Sequence, residues 1–131
     1  MIKRINTQKA PAAIGPYAQA IKVGNMVYTS GQIPLTPEGE LIKGDIHEQT
    51  RQILVNLQNV LEEAGSSLQH IVKTTIYLTD MDDFLAVNTV YGEFFAGSFP
   101  ARSTVAVKTL PKNVDIEIDA VAVADGDTYS F

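Results

Sequence analysis

Residues 100–123 read Pro100-Ala101-Arg102-Ser103-Thr104-Val105-Ala106-Val107-Lys108-Thr109-Leu110-Pro111-Lys112-Asn113-Val114-Asp115-Ile116-Glu117-Ile118-Asp119-Ala120-Val121-Ala122-Val123. Two β-prone runs flank a break at 109–113, which predicts strands over Arg102–Lys108 and Val114–Val123. Each run carries charge. Charges seldom sit in strands that bury a face unless they are paired or bind a ligand. In the second run Asp115, Glu117 and Asp119 alternate with Val114, Ile116, Ile118 and Ala120, so the acids share one face. That face continues as Val121 and Val123, which a plainly solvated face would not do. A hairpin at 109–113 makes the two strands neighbours and brings Arg102 towards Glu117, with the register left open. An arginine fork beside a carboxylate is what a site needs to hold a small carboxylic acid and move a proton next to it.

The chain before this stretch supplies the rest of a layered domain. Met1–Ile5 reads as a short first strand. Ala10–Gly15 is irregular, and Gly15-Pro16-Tyr17 reads as a fixed loop because Pro16 restricts its predecessor. Ala18–Val23 and Met26–Ser30 form a hairpin across Gly24-Asn25. Residues 31–44 are a loop. Asp45 is a helix N-cap with Glu48 three residues on, as in a capping box. Ile46, Ile53, Leu54, Leu57, Val60, Leu61 and Ala64 give a helical apolar stripe, and Gly65 stops it. Val72–Thr79 is a strand with Val72, Thr74, Ile76 and Leu78 on one face. Asp82 caps a second helix carrying Phe84, Leu85, Val87, Tyr91, Phe94 and Phe95. The expected architecture is α+β, a sheet of about six strands with two helices on one face. The other face still needs cover, which points to self-association. Residues 1–124 read as one domain and Asp125–Phe131 as a polar tail.

Composition narrows the function classes. With 131 residues, 45% apolar and 19% charged, the chain can bury a core and disorder is not expected. A net charge of −5 and the lack of a Lys/Arg cluster argue against nucleic-acid binding. No cysteine is present, which excludes disulfides and thiolate chemistry and fits the cytoplasm. Neither a secretion signal nor a transmembrane segment is read. His47 and His70 lack metal-ligand spacing and read as surface residues, and no HExxH, P-loop or nucleophile elbow occurs.

Each candidate residue has an ordinary structural reading beside the functional one. Arg102 is either a strand-end arginine with its head in water or a bidentate carboxylate clamp. Glu117 is part of a solvated acidic face or a proton-handling group. Gly31, in Ser30-Gly31-Gln32, is a turn glycine or a point of close backbone approach to a ligand. Tyr17 is a core or interface aromatic or a ligand contact. Asn88, four residues after Phe84, bonds backbone or a ligand if it is buried.

Taken together, Ala12-Ala13-Ile14-Gly15-Pro16-Tyr17, Thr29-Ser30-Gly31-Gln32-Ile33-Pro34, Asn56-Leu57, Leu61-Glu62-Glu63-Ala64-Gly65, Asn88-Thr89-Val90-Tyr91, Pro100-Ala101-Arg102-Ser103 and Ile116-Glu117-Ile118 resemble the RidA/YjgF family of imine deaminases. The resemblance implies a chorismate-mutase-like fold and a homotrimer. The sheets would pack as an inner barrel, with three sites in the clefts between subunits. It implies hydrolysis of 2-imino acids and their enamine tautomers to 2-keto acids and ammonia. Arg102 would bind the substrate carboxylate, and Glu117 would position water and handle protons. Tyr17, Ser30, Gly31, Asn88 and Thr104 would lie around the pocket. Thr104 stands where many relatives have cysteine. No cofactor is implied for this chain, because pyridoxal phosphate belongs to the dehydratase that releases the imine. The rival readings are a non-catalytic 2-keto acid sensor and a ribonuclease.

Overall fold

The fold is that of a computed structural model, described over residues 1–124. The tail expected at Asp125–Phe131 lies outside the described residues. Six strands form one mixed sheet: β1 (Ile2–Ile5), β2 (Ala20–Val23), β3 (Met26–Thr29), β4 (Ile71–Leu78), β5 (Ala101–Ala106) and β6 (Ile116–Val123). Their spatial order is β1-β2-β3-β6-β4-β5. Helices α1 (Ile46–Glu63) and α2 (Phe84–Phe95) pack on one face, as the patterning predicts.

Helix α1 begins where its cap says it should. The Asp45 side chain accepts from the Glu48 N–H at 3.0 Å, and Gly65, at φ +81°, follows the last turn. The Ser66 N–H then reaches back to the Leu61 carbonyl at 2.8 Å, closing the end of the helix. Ile53, Leu54, Leu57, Val60 and Leu61 are fully buried against Val27, Ile76, Leu78, Ile116 and Ile118 of the sheet. Each such side chain contributes about 1.5–3 kcal/mol by leaving water, so this layer fixes the helix on the sheet.

Three expectations are corrected. The break at 109–113 is not a hairpin between paired strands. A short helical turn, Pro111–Asn113, sits there, but β5 pairs parallel with β4, and β6 pairs antiparallel with β4 on its other side. A parallel neighbour needs a crossover, and α2 supplies it between β4 and β5. Second, Val72 does not share a face with Thr74, Ile76 and Leu78. A register irregularity between Ile71 and Lys73 turns Val72 outward and buries Ile71. Third, Asp82 is not the helix cap. Asp80 accepts from the Asp82 N–H at 2.9 Å at the start of a short turn, Met81–Asp83, that leads into α2.

The segment before β2 is held by one buried side chain. Gln19 is 2% exposed. Its carbonyl accepts from the Thr7 N–H at 2.7 Å, and its amide donates to the Thr7 and Pro11 carbonyls at 3.1 and 2.8 Å. Gln19→Leu keeps the bulk but strands three backbone groups, each costing about 1–3 kcal/mol when buried and unpaired. We expect a lower urea midpoint and faster proteolysis within residues 7–17. An unchanged midpoint would show that water replaces the amide without loss.

Candidate functional site

The sheet register places the two sequence-predicted charges apart. Arg102 on β5 lies beside Thr74 of β4. Glu117 on β6 lies beside Tyr77 of the same strand. Two strand spacings and three residues separate them, about 14 Å between α-carbons. Thr74, Ile76 and Leu78 face the helices and are buried, so Lys73, Thr75 and Tyr77 point the other way. Arg102 therefore faces α2, and Glu117 faces the side of the sheet without helices. The expected proximity within one chain does not occur.

Arg102 lies against the aromatic face of α2. Its guanidinium carbon is 5.4 Å from the Phe84 ring centre and 5.0 Å from that of Tyr91, the geometry of cation–π contact. Phe84, Asn88 and Tyr91 recur at helical spacing, so one stripe of α2 presents all three. Tyr91 is fixed from below, its hydroxyl 2.7 Å from the Thr74 hydroxyl. Burial pushes the Tyr91 phenol up, which keeps it neutral. A cavity of about 300 Å³ here is lined by Asn88, Tyr91, Gly92, Phe99, Pro100 and Arg102. Asn88 Oδ1 and Thr104 Oγ1 are buried without a hydrogen-bond partner. Buried polar atoms are usually satisfied, so both are open to a ligand or a partner group. The sequence reading missed Phe84 beneath the guanidinium and Phe99 in the cavity wall. The i, i+4, i+7 spacing of Phe84, Asn88 and Tyr91 was the available signal for Phe84, and it does not reach Phe99.

Glu117 sits in a second cavity, about 580 Å³, with Tyr17, Ser30, Gly31, Gln32, Ile14 and Lys112 among its walls. The sequence-predicted Tyr17, Ser30 and Gly31 thus gather around Glu117, while Asn88 and Thr104 belong with Arg102. The cavity opens because β3 leaves the sheet early. Thr29 Oγ1 accepts from the Ala120 N–H at 3.0 Å in place of a backbone carbonyl. Ser30 turns to residues 18 and 19, its N–H donating to the Gln19 carbonyl at 2.9 Å and its hydroxyl to the Ala18 carbonyl at 2.6 Å. Gln32 then rejoins β6 through two bonds with Ile118 at 2.8 and 3.1 Å. Gly31 is left directly over the Glu117 carboxylate, in the space a β-carbon would need.

The Glu117 carboxyl has no ion-pair or hydrogen-bond partner among the described residues. Burial, and secondarily the charge of Asp119, hold its pKa above the ordinary carboxylate value. Asp119 is also raised by burial, opposed by a 3.1 Å bond from the Tyr77 hydroxyl and by Lys73. Among the described residues no three His, Cys, Asp or Glu side chains gather as a metal site would need, and no helix is long and apolar enough to cross a membrane.

The chain is similar to known proteins over most of its length. The sequence profile of the family described as Endoribonuclease L-PSP matches residues 7–124. A RutC family protein of Pyrococcus abyssi is 56% identical over 119 residues, covering 90% of this chain and 94% of that one. The 2-iminobutanoate/2-iminopropanoate deaminase of Escherichia coli is 49% identical over 126 residues, covering 94% and 98%. The crystal structure of Escherichia coli TdcF with bound serine superposes with a TM-score of 0.89 at 46% identity, covering 94% and 99%.

Two outcomes follow from the Glu117 cavity. Because a raised folded pKa means the proton stabilises the fold, that stability is present at acid pH and lost as pH rises through the folded value. Glu117→Gln is expected to raise the denaturation midpoint at pH 7 and to leave it near wild type at pH 3; equal midpoints at both would contradict the burial cost. Gly31 has an ordinary φ, so Gly31→Ala is expected to keep the fold within about 1 kcal/mol while displacing the Glu117 carboxylate, a shift visible in a crystal structure of the variant.

Proposed function

This chain belongs to the Endoribonuclease L-PSP family, the family it resembles as RidA/YjgF, and on that premise we propose that it hydrolyses short 2-imino acids to 2-keto acids and ammonia. The observation that carries the reading is the division of the chemistry between two faces of the sheet. One half-site offers a cation with two unmet polar atoms beside it. The other offers a proton-holding carboxyl in a cleft. Joining them needs a second copy. The helix-free sheet face exposes Val23, Tyr28 and Val105 and holds Val121 and Val123 beside Glu117. In our reading three copies pack through these faces as an inner barrel, and each site takes Arg102 from one subunit and Glu117 from the next.

Arg102 clamps the substrate carboxylate, with Asn88 and Thr104 at its side, and so orients C2 towards the neighbouring subunit's cleft. Water held by Glu117 attacks C2. The carbon–oxygen bond forms, the C=N pair moves to nitrogen, and nitrogen takes the Glu117 proton. The oxygen returns a proton to Glu117, leaving a carbinolamine. Glu117 then protonates the amine, the C–N bond breaks with its electrons on nitrogen, and the hydroxyl proton goes back to Glu117 as the ketone forms. Protons balance, and ammonia and a 2-keto acid leave. Proton transfer of this kind supplies about 10²–10⁴-fold, enough for a substrate that already hydrolyses quickly. Tyr17, Ser30 and Gly31 shape the cleft, Gly31 by leaving room for the carboxylate. No cofactor enters these steps. The imine would reach the enzyme from a pyridoxal-phosphate dehydratase, in the cytoplasm. The family's ribonuclease label finds little support in a chain of net charge −5.

The test is a coupled assay. A dehydratase acting on threonine makes the imine, semicarbazide traps what is not hydrolysed, and 2-ketobutyrate is measured. Wild type is expected to divert the imine to keto acid, and Arg102→Ala and Glu117→Gln to lose at least tenfold. Mixing the two variants after dissociation should restore about a quarter of wild-type activity, since a mixed ring regains one intact site. No recovery from mixed rings would place both groups in one chain. No diversion by folded wild type, with 2-ketobutyrate still bound, would make the protein a keto-acid sensor.

A further inference from the structure

Glu117 and Asp119 stand two residues apart on one face of β6, each half-buried. Tyr77 links them. It lies directly across from Glu117 in the β4–β6 ladder, and its hydroxyl donates to Asp119 Oδ2 at 3.1 Å. Asp119 therefore has a fixed place and a bonded charge, while the Glu117 carboxyl has no donor among the described residues. The geometry points to Asp119, held by Tyr77, as the positioning residue that makes Glu117 a proton donor rather than a bare carboxylate. The inference deepens the hydrolysis proposed above and rests on it.

The groups around Glu117 leave it few alternatives. From β4, Tyr77 presents an uncharged phenol, raised by burial and by Asp119. Lys73 offsets Asp119 rather than Glu117, and its ammonium donates to the Ser103 hydroxyl at 3.1 Å. From the loop after β3 come Gly31, without a side chain, and the neutral Gln32. Tyr17 and Lys112 line the same cavity, but among the described residues the charge acting on Glu117 is that of Asp119. Arg102 lies on the other side of the sheet. In the proposed assembly the neighbour's Arg102 stands in the same site and favours the ionised acid until the substrate carboxylate pairs with it. Burial and one like charge then act in the same direction, and both favour the protonated acid. Nitrogen of the imine must gain a proton for the C–N bond to break. An ionised Glu117 has none to give. Asp119 thus never touches the substrate; it acts through Glu117.

The experiment is a carboxyl-carbon NMR titration of the whole protein, with the Glu117 signal assigned by its loss in Glu117→Gln, run beside pH profiles of kcat/KM. Asp119→Asn and Asp119→Ser remove the charge, and Asp119→Glu keeps it. We expect the Glu117 midpoint to move to lower pH in the first two and to stay near wild type in the third. The alkaline limb of kcat/KM should move with it. A merely structural role for Asp119 would lower activity without shifting that limb. A midpoint that stays put in both charge-removing variants overturns the inference, even in a fully active enzyme. So does a shifted midpoint with an unmoved limb. Absence of imine hydrolysis at every pH, with the midpoint shifted as expected, overturns the proposed reaction and leaves the electrostatic coupling standing.

Discussion

Strand β4 stands between Arg102 and Glu117, and the rest of the molecule is arranged around that separation. Its side chains alternate between two faces, so the partners it aligns inherit opposite directions. Arg102, beside Thr74, is sent towards α2. Glu117, beside Tyr77, is sent to the face without helices. Neither could change side without a one-residue slip. Such a slip would expose Ile76, Leu78, Ile116 and Ile118, all fully buried here. Core packing therefore enforces the division of the site.

Each half-site is supported by structure that has no chemistry of its own. The Arg102 side depends on α2, whose Phe84 and Tyr91 rings carry the guanidinium. The Glu117 side depends on Gln19 and Ser30. The first pins residues 7–11 to the sheet edge. The second ties the strand exit to residue 18. Between Thr29 and Gln32 the chain leaves β6 for two residues, Ser30 and Gly31, and the glycine lies over Glu117. The opening beside Glu117 is thus a consequence of backbone bonds made elsewhere.

The legible parts of the fold were those set by local rules. Helix α1 announced itself through Asp45, its apolar stripe and Gly65, because caps and helical periodicity act over a few residues. The period of two along β6 located Glu117 on a partly apolar face. Val72 was misplaced because a bulge breaks the period without leaving a mark in residue types. Asp82 was misread because three aspartates, Asp80, Asp82 and Asp83, compete for one helix start. Arg102 and Glu117 were legible as candidates, since an arginine and a glutamate inside apolar strands ask for explanation. Phe84 beneath the guanidinium was not, since an aromatic on a helix stripe reads as core, and neither was Phe99, which lies in the connection after α2.

The sequence by itself determined the elements, the buried faces and the family, because these rest on periodicity, capping and motif identity. Tertiary structure alone decided that β5 and β6 are separated by β4. A break of five residues can join neighbours or strands two places apart, and what chooses is the crossover through α2 and the competition of β4 for both edges. That choice sets the cation and the carboxyl of one chain two strands apart, and the alternation of side chains along β4 puts them on opposite faces of its sheet.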